Sequence, residues 1–596
     1  MVNLSLLSFP WIVEPNISGL LTSNHMAHET PKNRLSPLSL GLSALTGLLI
    51  VFSLAPHNHW WMAWFSLVPW LYALRNTTLK QAALCGMVAG AVTNYGAFHW
   101  LTSLMNDFSN LGPGVYLVMA LMALYQGVPY MLWAMFLRSA LPGPVTTRRT
   151  LFAAFLTALA FPVFEFFYPI VFPWYLANTQ HTRPDLTGVI ELAGTGLLSL
   201  AIVVVNLCLA RVLLPREPSD EGKLWPLKMG ANYRVLLVGM AVLTFGFCWG
   251  FSTVRNRQLQ TLTEQAEKLH LGLVQPNHWI NTVRPLEAMH HYQRLTYGLV
   301  QEQLEKGRPL DLILWPESAV RTPIPRFTAE NTQQGIEPQR YPRDLKTVEP
   351  GLIPPAADLM ADRVPSSELW AVQRGHNVPM LFGTTMEDTD PDAVGALPGG
   401  PALYNCGVLI DELGAVVGVA PKVKLLLFGE TIPLAGVFPF VYRLLPMASA
   451  LVPGDGPVVI EHRRAKLGMM ICYEDLLPWF HFDLARQNPD VLLNLTNDAW
   501  FGRTPEAECH LSLAKFRSVE GRVFLVRSTP TGVSCVVDAT GAVVAELGMD
   551  QEGTLTYPVA LLQVKTGWER FGDSVVWAGL FLVLGFLVYR SRVSTQ

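Results

Sequence analysis

Eight apolar runs punctuate this chain, seven of them within the first 252 residues and one near the C-terminus. They are Leu38–Ala55, Trp60–Leu74, Leu79–Trp100, Tyr116–Leu137, Leu151–Val171, Ile190–Leu214, Tyr233–Ser252 and Val575–Tyr589. A helix needs roughly 20 apolar residues to cross about 30 Å of hydrocarbon. The pattern therefore predicts a polytopic α-helical membrane domain over 38–252 with seven helices, and an eighth over 575–589. The second and eighth runs are short. Residues 1–37 match neither a signal peptide nor a span and form a separate, unassigned segment.

Between the seventh and eighth runs the pattern changes. Leu269–Val274 alternates like a strand, Pro285–Lys306 has helical spacing with one polar face, and Leu310–Trp315 is a short apolar run. Further strand-like runs follow at 379–382, 402–410, 415–420, 467–472, 491–495, 523–527 and 532–537. Strands alternating with helices predict a separate α/β sandwich domain over 253–570. Arg321–Glu368 interrupts it with a long Pro-rich, polar stretch, which reads as a mobile surface loop or lid near a cleft, or else as an ornament far from it.

Composition sharpens the membrane reading. Half the residues are hydrophobic and 15% are charged, against roughly 25% charged in ordinary soluble domains. The net charge of −3 offers no basic excess for nucleic acid. Seven cysteines are an odd number without CxxC spacing, so neither a zinc site nor a disulfide framework follows. Basic residues cluster before the first run, between the second and third, between the fourth and fifth, around the sixth loop and after the eighth. The alternate short loops hold only Arg183. The positive-inside rule then puts both termini in the cytoplasm and 253–570 outside. Glu165, ionisable within an apolar run, is a functional candidate by default.

Three strand ends carry the chemistry. Leu314-Trp-Pro-Glu317-Ser sets a carboxylate past a buried strand. Pro421-Lys422-Val-Lys424 leads through an apolar run to Glu430, and Gly468-Met-Met-Ile-Cys472-Tyr-Glu474-Asp delivers a cysteine to an elbow. Singly, each has an ordinary explanation: a packing cysteine, a solvated turn, a surface lysine. Together they supply a nucleophile, a base to take its proton and a cation to hold charge on an attacked carbonyl oxygen. If the strand continues, Lys422 and Lys424 share a face. Glu474 and Asp475 oppose thiolate formation unless they point elsewhere.

The order Trp-Pro-Glu317-Ser, Lys422 eight residues before Glu430, and Cys472-Tyr473 resembles the nitrilase superfamily. Glu474 two residues after the cysteine is the variant typical of apolipoprotein N-acyltransferases. Tyr404-Asn405, Phe428-Gly-Glu430, Asn494–Gly502, Arg517-Ser-Val-Glu520 and Arg527-Ser-Thr529 extend the likeness. So do Glu165, Phe172-Pro-Trp174, Gln180 and Asn206 in the membrane part. The resemblance implies an αββα sandwich on a membrane platform, in a bacterial inner membrane with the catalytic domain periplasmic. It implies transfer of an acyl chain from a phospholipid, phosphatidylethanolamine by expectation, through a Cys472 thioester to the amine of a diacylglyceryl-cysteine on an apolipoprotein. Glu317 would be the base, Lys422 the oxyanion partner, and Glu430, Tyr473, Asn405, Trp500 and Glu474 would support the site or the acyl pocket. No metal or organic cofactor is implied. The alternative is a membrane-tethered amidase or nitrilase with the same triad.

Overall fold

The computed structural model describes residues 35–108, 111–140, 147–213, 231–280, 282–325, 372–388, 395, 402–427, 429–432 and 451–594. Most of the 1–37 segment and of the Arg321–Glu368 stretch lies outside the described residues, as does Phe428.

The membrane part is built from α1 (Pro37–Ser53), α2 (Val68–Ala73), α3 (Leu79–Phe98), α4 (Leu101–Phe108), α5 (Gly114–Ala140) and α6 (Thr147–Phe167). The short turns α7 (Pro184–Thr187) and α8 (Ile190–Ala193) follow, then α9 (Thr195–Leu213) and α10 (Ala231–Gln265), and the chain closes with a helix at Ser574–Ser594. Among the described residues four helices are long and apolar enough to cross a membrane: Gly114–Ala140, Thr195–Leu213, Asn232–Gln265 and Ser574–Arg592. Pro37–Ser53 and Phe152–Phe167 are apolar but shorter. The 20-residue α3 is less apolar because it carries Lys80, Gln81 and Asn94, and it uses Gly86 and Gly90 for packing. A Cβ at Gly90 would stand 2.5 Å from the Gly127 carbonyl oxygen of α5, and one at Gly86 would meet the Tyr130–Met131 backbone. This small-xxx-small spacing lets two backbones touch where burial of apolar surface gives no drive.

One expectation needs correction. Trp60–Leu74 is not one continuous span: it forms a 3-10 turn at Trp60–Trp64, the six residues of α2, and a second 3-10 turn at Leu74–Asn76. Pro69 enters at the start of α2, and the backbone groups freed around the breaks are met by neighbouring side chains. Asn206 accepts from Leu67 N at 2.8 Å and donates to Ala63 O at 2.9 Å. Gln180 Nε2 donates to Trp60 O at 3.0 Å. Irregular backbone inside a membrane protein requires this kind of satisfaction. The seventh run continues as helix past its apolar part. Helix α10 runs on to Gln265, two residues short of the first strand. Glu165 accepts the Leu176 N–H at 2.9 Å and so anchors the turn Leu176–Gln180.

The rest is two stacked sheets. One holds β1 (Lys268–Gln275), β2 (Leu312–Leu314), β3 (Val320–Pro325), β4 (Met380–Asp388), β5 (Ala402–Ile410), β6 (Val416–Pro421) and β13 (Gly553–Ala560), in the order β13-β1-β2-β4-β5-β6 with β3 on β4. The other holds β7 (Val459–His462), β8 (Ala465–Ile471), β9 (Val491–Leu495), β10 (Phe524–Ser528), β11 (Ser534–Val537) and β12 (Val543–Leu547), in the order β12-β11-β10-β9-β8-β7. Period-two alternation splits each strand between layers. Leu312, Leu314, Met469, Val491, Leu493 and Val526 meet between the sheets. Ile313, Trp315 and Phe382 pack outward with Met289, Tyr292 and Leu299 of α11 (Pro285–Glu305). Met470, Leu492 and Leu525 pack outward with Leu484 of the helix Pro478–Ala485 and Leu511 of the helix Glu506–Gly521. The layering is αββα.

The sandwich is seated on the membrane part by polar contacts of buried and half-buried groups. Arg522 reaches Glu191 at 2.5 Å and Gly188 O at 3.0 Å, Lys515 donates to His181 O at 2.7 Å, and Tyr473 donates to Val171 O at 2.7 Å. Trp100 meets Phe501 edge-on at 5.2 Å.

Candidate active site

Glu317 follows β2 by three residues. Its backbone lies flat against β4, where a Cβ on Gly383 would come within 2.5 Å of the Glu317 Cα. Asn405 comes from β5, and Lys422 directly follows β6, its N–H donating to Asn405 O at 2.7 Å. These side chains form one buried cluster. Asn405 Nδ2 donates to Glu317 Oε1 at 2.6 Å and to Glu430 Oε1 at 3.0 Å. Lys422 Nζ donates to Glu317 Oε1 at 3.3 Å and to Glu430 Oε1 at 2.8 Å. The second Glu430 oxygen accepts from Leu426 N at 2.9 Å, which closes the loop between the lysine and the glutamate. Lys422 is 1% exposed. Burial works against its charge, but Glu317, Glu430 and Cys472 outweigh it and hold the ammonium well above the usual lysine range. Burial pushes the Glu317 carboxyl up, with Lys422 opposing.

Cys472 sits just past β8 with φ +50°. That left-handed backbone costs a non-glycine residue of the order of 1–3 kcal/mol, and the surroundings fix it: Asn494 Nδ2 donates to Cys472 O at 3.0 Å. Glu474 does not oppose the sulfur as a free charge. Its carboxylate accepts from Ile471 N at 2.8 Å, Val423 N at 2.6 Å and Lys424 N at 3.0 Å. It therefore stitches the cysteine elbow to the lysine loop. Burial raises its carboxyl to about 7 against those three donors. The Cys472 thiol is pushed up to about 12 by burial and then by Glu317, with Lys422 and His510 pulling the other way.

The two lysines part company. Lys424 is exposed and engages Glu474 through its backbone alone among the bonds described. The strand ends at Pro421, and beyond it the period of two no longer sets side-chain direction. Tyr473 lines the same cavity as Cys472. Trp500 does not: it is 37% exposed and packs on Phe108 at 5.4 Å, while its neighbour Phe501 lines the cavity.

The helix Glu506–Gly521 brings in groups the sequence reading did not single out. His510 Nε2 lies 2.8 Å from Asp475 Oδ1 and its Nδ1 3.1 Å from Asp498 Oδ1. Arg527 pairs with Asp475 at 3.2 Å and Asp498 at 3.5 Å, and Glu506 stands 3.5 Å from His510. All five are buried. Glu506, Cys509 and His510 line a cavity of about 30 Å³ with Cys472 and Tyr473; its other wall is Phe98, Trp100 and Phe172 of the membrane part. Asp498 and Arg527 lay in recognisable runs, but nothing local tied them to His510.

A carboxylate, a lysine and a cysteine stand together at strand ends of an αββα sandwich, and residues 272–566 match the family model described as carbon-nitrogen hydrolase. Residues 46–208 match the model described as apolipoprotein N-acyltransferase N-terminal domain. Three similar proteins, each named apolipoprotein N-acyltransferase, come from Geobacter metallireducens, Bdellovibrio bacteriovorus and Azotobacter vinelandii. The first is 25% identical over 90% of this chain and 92% of its own, the second 25% over 93% and 94%, and the third 28% over 92% and 95%. Among solved structures, a nitrilase-superfamily protein of Saccharomyces cerevisiae covers 49% of this chain and 90% of its own, at 16% identity and a TM-score of 0.32. The chain belongs to the apolipoprotein N-acyltransferase family, the membrane-embedded branch of that class.

Proposed function

We propose that the protein N-acylates lipoproteins, moving an acyl chain from a phospholipid to the amine of an N-terminal diacylglyceryl-cysteine by way of a thioester on Cys472. One observation carries this reading: the buried cysteine, in the field of Glu317 and Lys422, opens on a cavity whose far wall is the membrane part itself. A hydrolase of small soluble amides has no use for that wall. Substrates anchored in lipid do, because only their reacting ends need reach the sulfur.

In the first half-reaction Glu317 takes the Cys472 proton as sulfur attacks the ester carbonyl. The Lys422 ammonium meets the charge developing on the carbonyl oxygen. The departing lysophospholipid alkoxide recovers the proton from Glu317. In the second half the acceptor amine attacks the thioester and sulfur leaves as a thiol. Asn405 and Glu430 keep base and cation in register, and Glu474 keeps the elbow beside them. The membrane arrangement in this proposal has eight crossings, the broken Trp60–Asn76 segment counted as one, with both termini cytoplasmic and the sandwich periplasmic in a bacterial inner membrane. The distribution of basic residues supports that orientation.

The test is incubation of the protein with phosphatidylethanolamine alone, followed by intact-mass analysis. A hydroxylamine-sensitive acyl adduct on Cys472, with lysophospholipid released before any lipoprotein is added, is the expected result. An adduct elsewhere moves the nucleophile; no adduct together with ammonia release from small amides gives the chain to the hydrolase reading.

A further inference from the structure

Five buried ionisable groups form one network beside the Cys472 cavity, two of which, Glu506 and His510, line it, and their charges do not balance. Asp475, Asp498 and Glu506 are carboxylates; Arg527 is a cation. His510 presents both ring nitrogens to carboxylate oxygens, at 2.8 and 3.1 Å. A neutral ring would set one lone pair against a carboxylate, so the imidazolium is the form that fits. Three negative charges then face two positive ones. Asp475 and Asp498 are each ion-paired with both cations, although Asp475 Oδ2 faces Arg527 without a hydrogen bond. Glu506 holds the remainder. One of its oxygens stands 3.5 Å from His510, and the other, Oε2, is buried with no hydrogen-bond partner.

That free oxygen belongs to a residue 5% exposed that lines the cavity with the nucleophile. The remaining lining is Phe98, Trp100, Phe172, Leu426, Leu476, Phe501 and Leu513, with Tyr473, Cys509 and His510. At about 30 Å³ the space holds one or two water-sized groups and not a fatty chain. A small cation is the guest that an unbalanced carboxylate among aromatic rings would take.

We propose that Glu506 receives the acceptor's primary ammonium and removes its proton, making it the substrate-contacting base of the second half-reaction. The inference rests on the thioester reading above and divides the proton work: Glu317 serves acylation, Glu506 readies the amine. The ammonium gives one proton to Glu506 Oε2. The freed nitrogen lone pair forms the C–N bond, the C–S bond breaks with its electron pair going to sulfur, and the second nitrogen proton returns through Glu317 to the Cys472 sulfur. Glu506 then releases its proton to water. Burial and Asp498 raise the Glu506 carboxyl to about 7, with His510 and Arg527 opposing. An α-amine of about 7.7–8.0 is a near match, which suits proton transfer. The groups facing Glu506 are Asp498, His510 and Arg527, together with Cys509, whose thiol burial raises first and the glutamate raises further.

The experiment separates the two halves in the full-length protein, using phosphatidylethanolamine and, separately, phosphatidylglycerol as donors, and a diacylglyceryl-cysteine peptide as acceptor. Glu506→Gln should form the Cys472 adduct from either donor within about twofold of the parent rate. It should pass the acyl group to the peptide at least tenfold more slowly at pH 7. The deficit should close as pH rises towards 9 and bulk water deprotonates the amine. Glu506→Asp should recover part of the rate at pH 7, and it serves as the test if the glutamine variant does not fold. Equal losses in both halves, an unchanged aminolysis rate, or a pH-independent deficit would overturn the assignment. So would a loss confined to acylation by the ethanolamine lipid, which would make the headgroup the guest. One equivalent of divalent metal lost from Glu506→Gln would also overturn it, since Asp498, Glu506 and His510 place ligand atoms within 4.8 Å of one another. If the parent protein forms no adduct on Cys472, it is the thioester reading that has failed.

Discussion

Replacing Lys422 by methionine removes one charge from between two buried carboxylates and keeps the volume. Lys422 Nζ is 3.3 Å from Glu317 and 2.8 Å from Glu430, and all three side chains are largely shielded from water. At an effective dielectric of about 20, a pair of unit charges 3.3 Å apart is worth about 5 kcal/mol. A quarter of that moves a carboxyl by about one pKa unit. Without the lysine, Glu317 and Glu430 face each other through Asn405, so one of them holds a proton at neutral pH. The base is thereby weakened as well as the oxyanion partner lost, the latter alone being worth about 10²–10³ in rate. We expect Lys422→Met to acylate Cys472 about two to four orders of magnitude more slowly, followed by intact mass after addition of phospholipid. Breaking a buried pair also costs about 3–5 kcal/mol of stability. The double variant Lys422→Met with Glu430→Gln should regain melting temperature but not rate. Lys424→Met should stay within about threefold of the parent, because methionine keeps the backbone N–H that Glu474 holds. A larger loss at Lys424 than at Lys422, or a Lys422→Met rate above a tenth of the parent, would refute the argument.

Glu474→Gln should slow acylation more than it destabilises the fold, since an amide satisfies fewer of the three backbone donors that tie Cys472 to the lysine loop; thermal melts beside rate measurements check it. Alkylation of Cys472 by iodoacetamide should be about three orders of magnitude slower at pH 7 than that of a free thiol. A thiol raised to about 12 ionises only as pH climbs, so the rate should rise about tenfold per unit through pH 9, and a plateau near pH 7 would mean a resting thiolate. A reporter fused after Gln265, where α10 ends, should behave as periplasmic and one after Gln596 as cytoplasmic; both on one side would remove the proposed crossing count.

What the sequence determined by itself is what depends on neighbours along the chain. Alternation within Leu269–Val274 and the short apolar run Val491–Leu495 read as strands, because strand period and length are local properties. The Gly468–Cys472 run ending at an elbow, and the order Glu317, Lys422, Cys472, were likewise legible, since each lies at the end of its own strand. The membrane runs were legible as apolar, but not whether each is one helix. Trp60–Leu74 breaks because Asn206 and Gln180, more than 100 residues away, satisfy the backbone it frees. The choice between Lys422 and Lys424 also lay beyond local rules, since β6 ends at Pro421 and a carboxylate fifty residues later captures the Lys424 backbone. The role of that carboxylate, Glu474, was ambiguous for the same reason. His510 and Glu506 were invisible in a helix whose ordinary spacing predicts only packing. They reach Cys472 because β8, β9 and β10 lie side by side, and the helix crossing them is pressed between the sheet and the membrane part. Electrostatic pairing acts through space at about 3 Å, and only the closed fold decides which charges come that near.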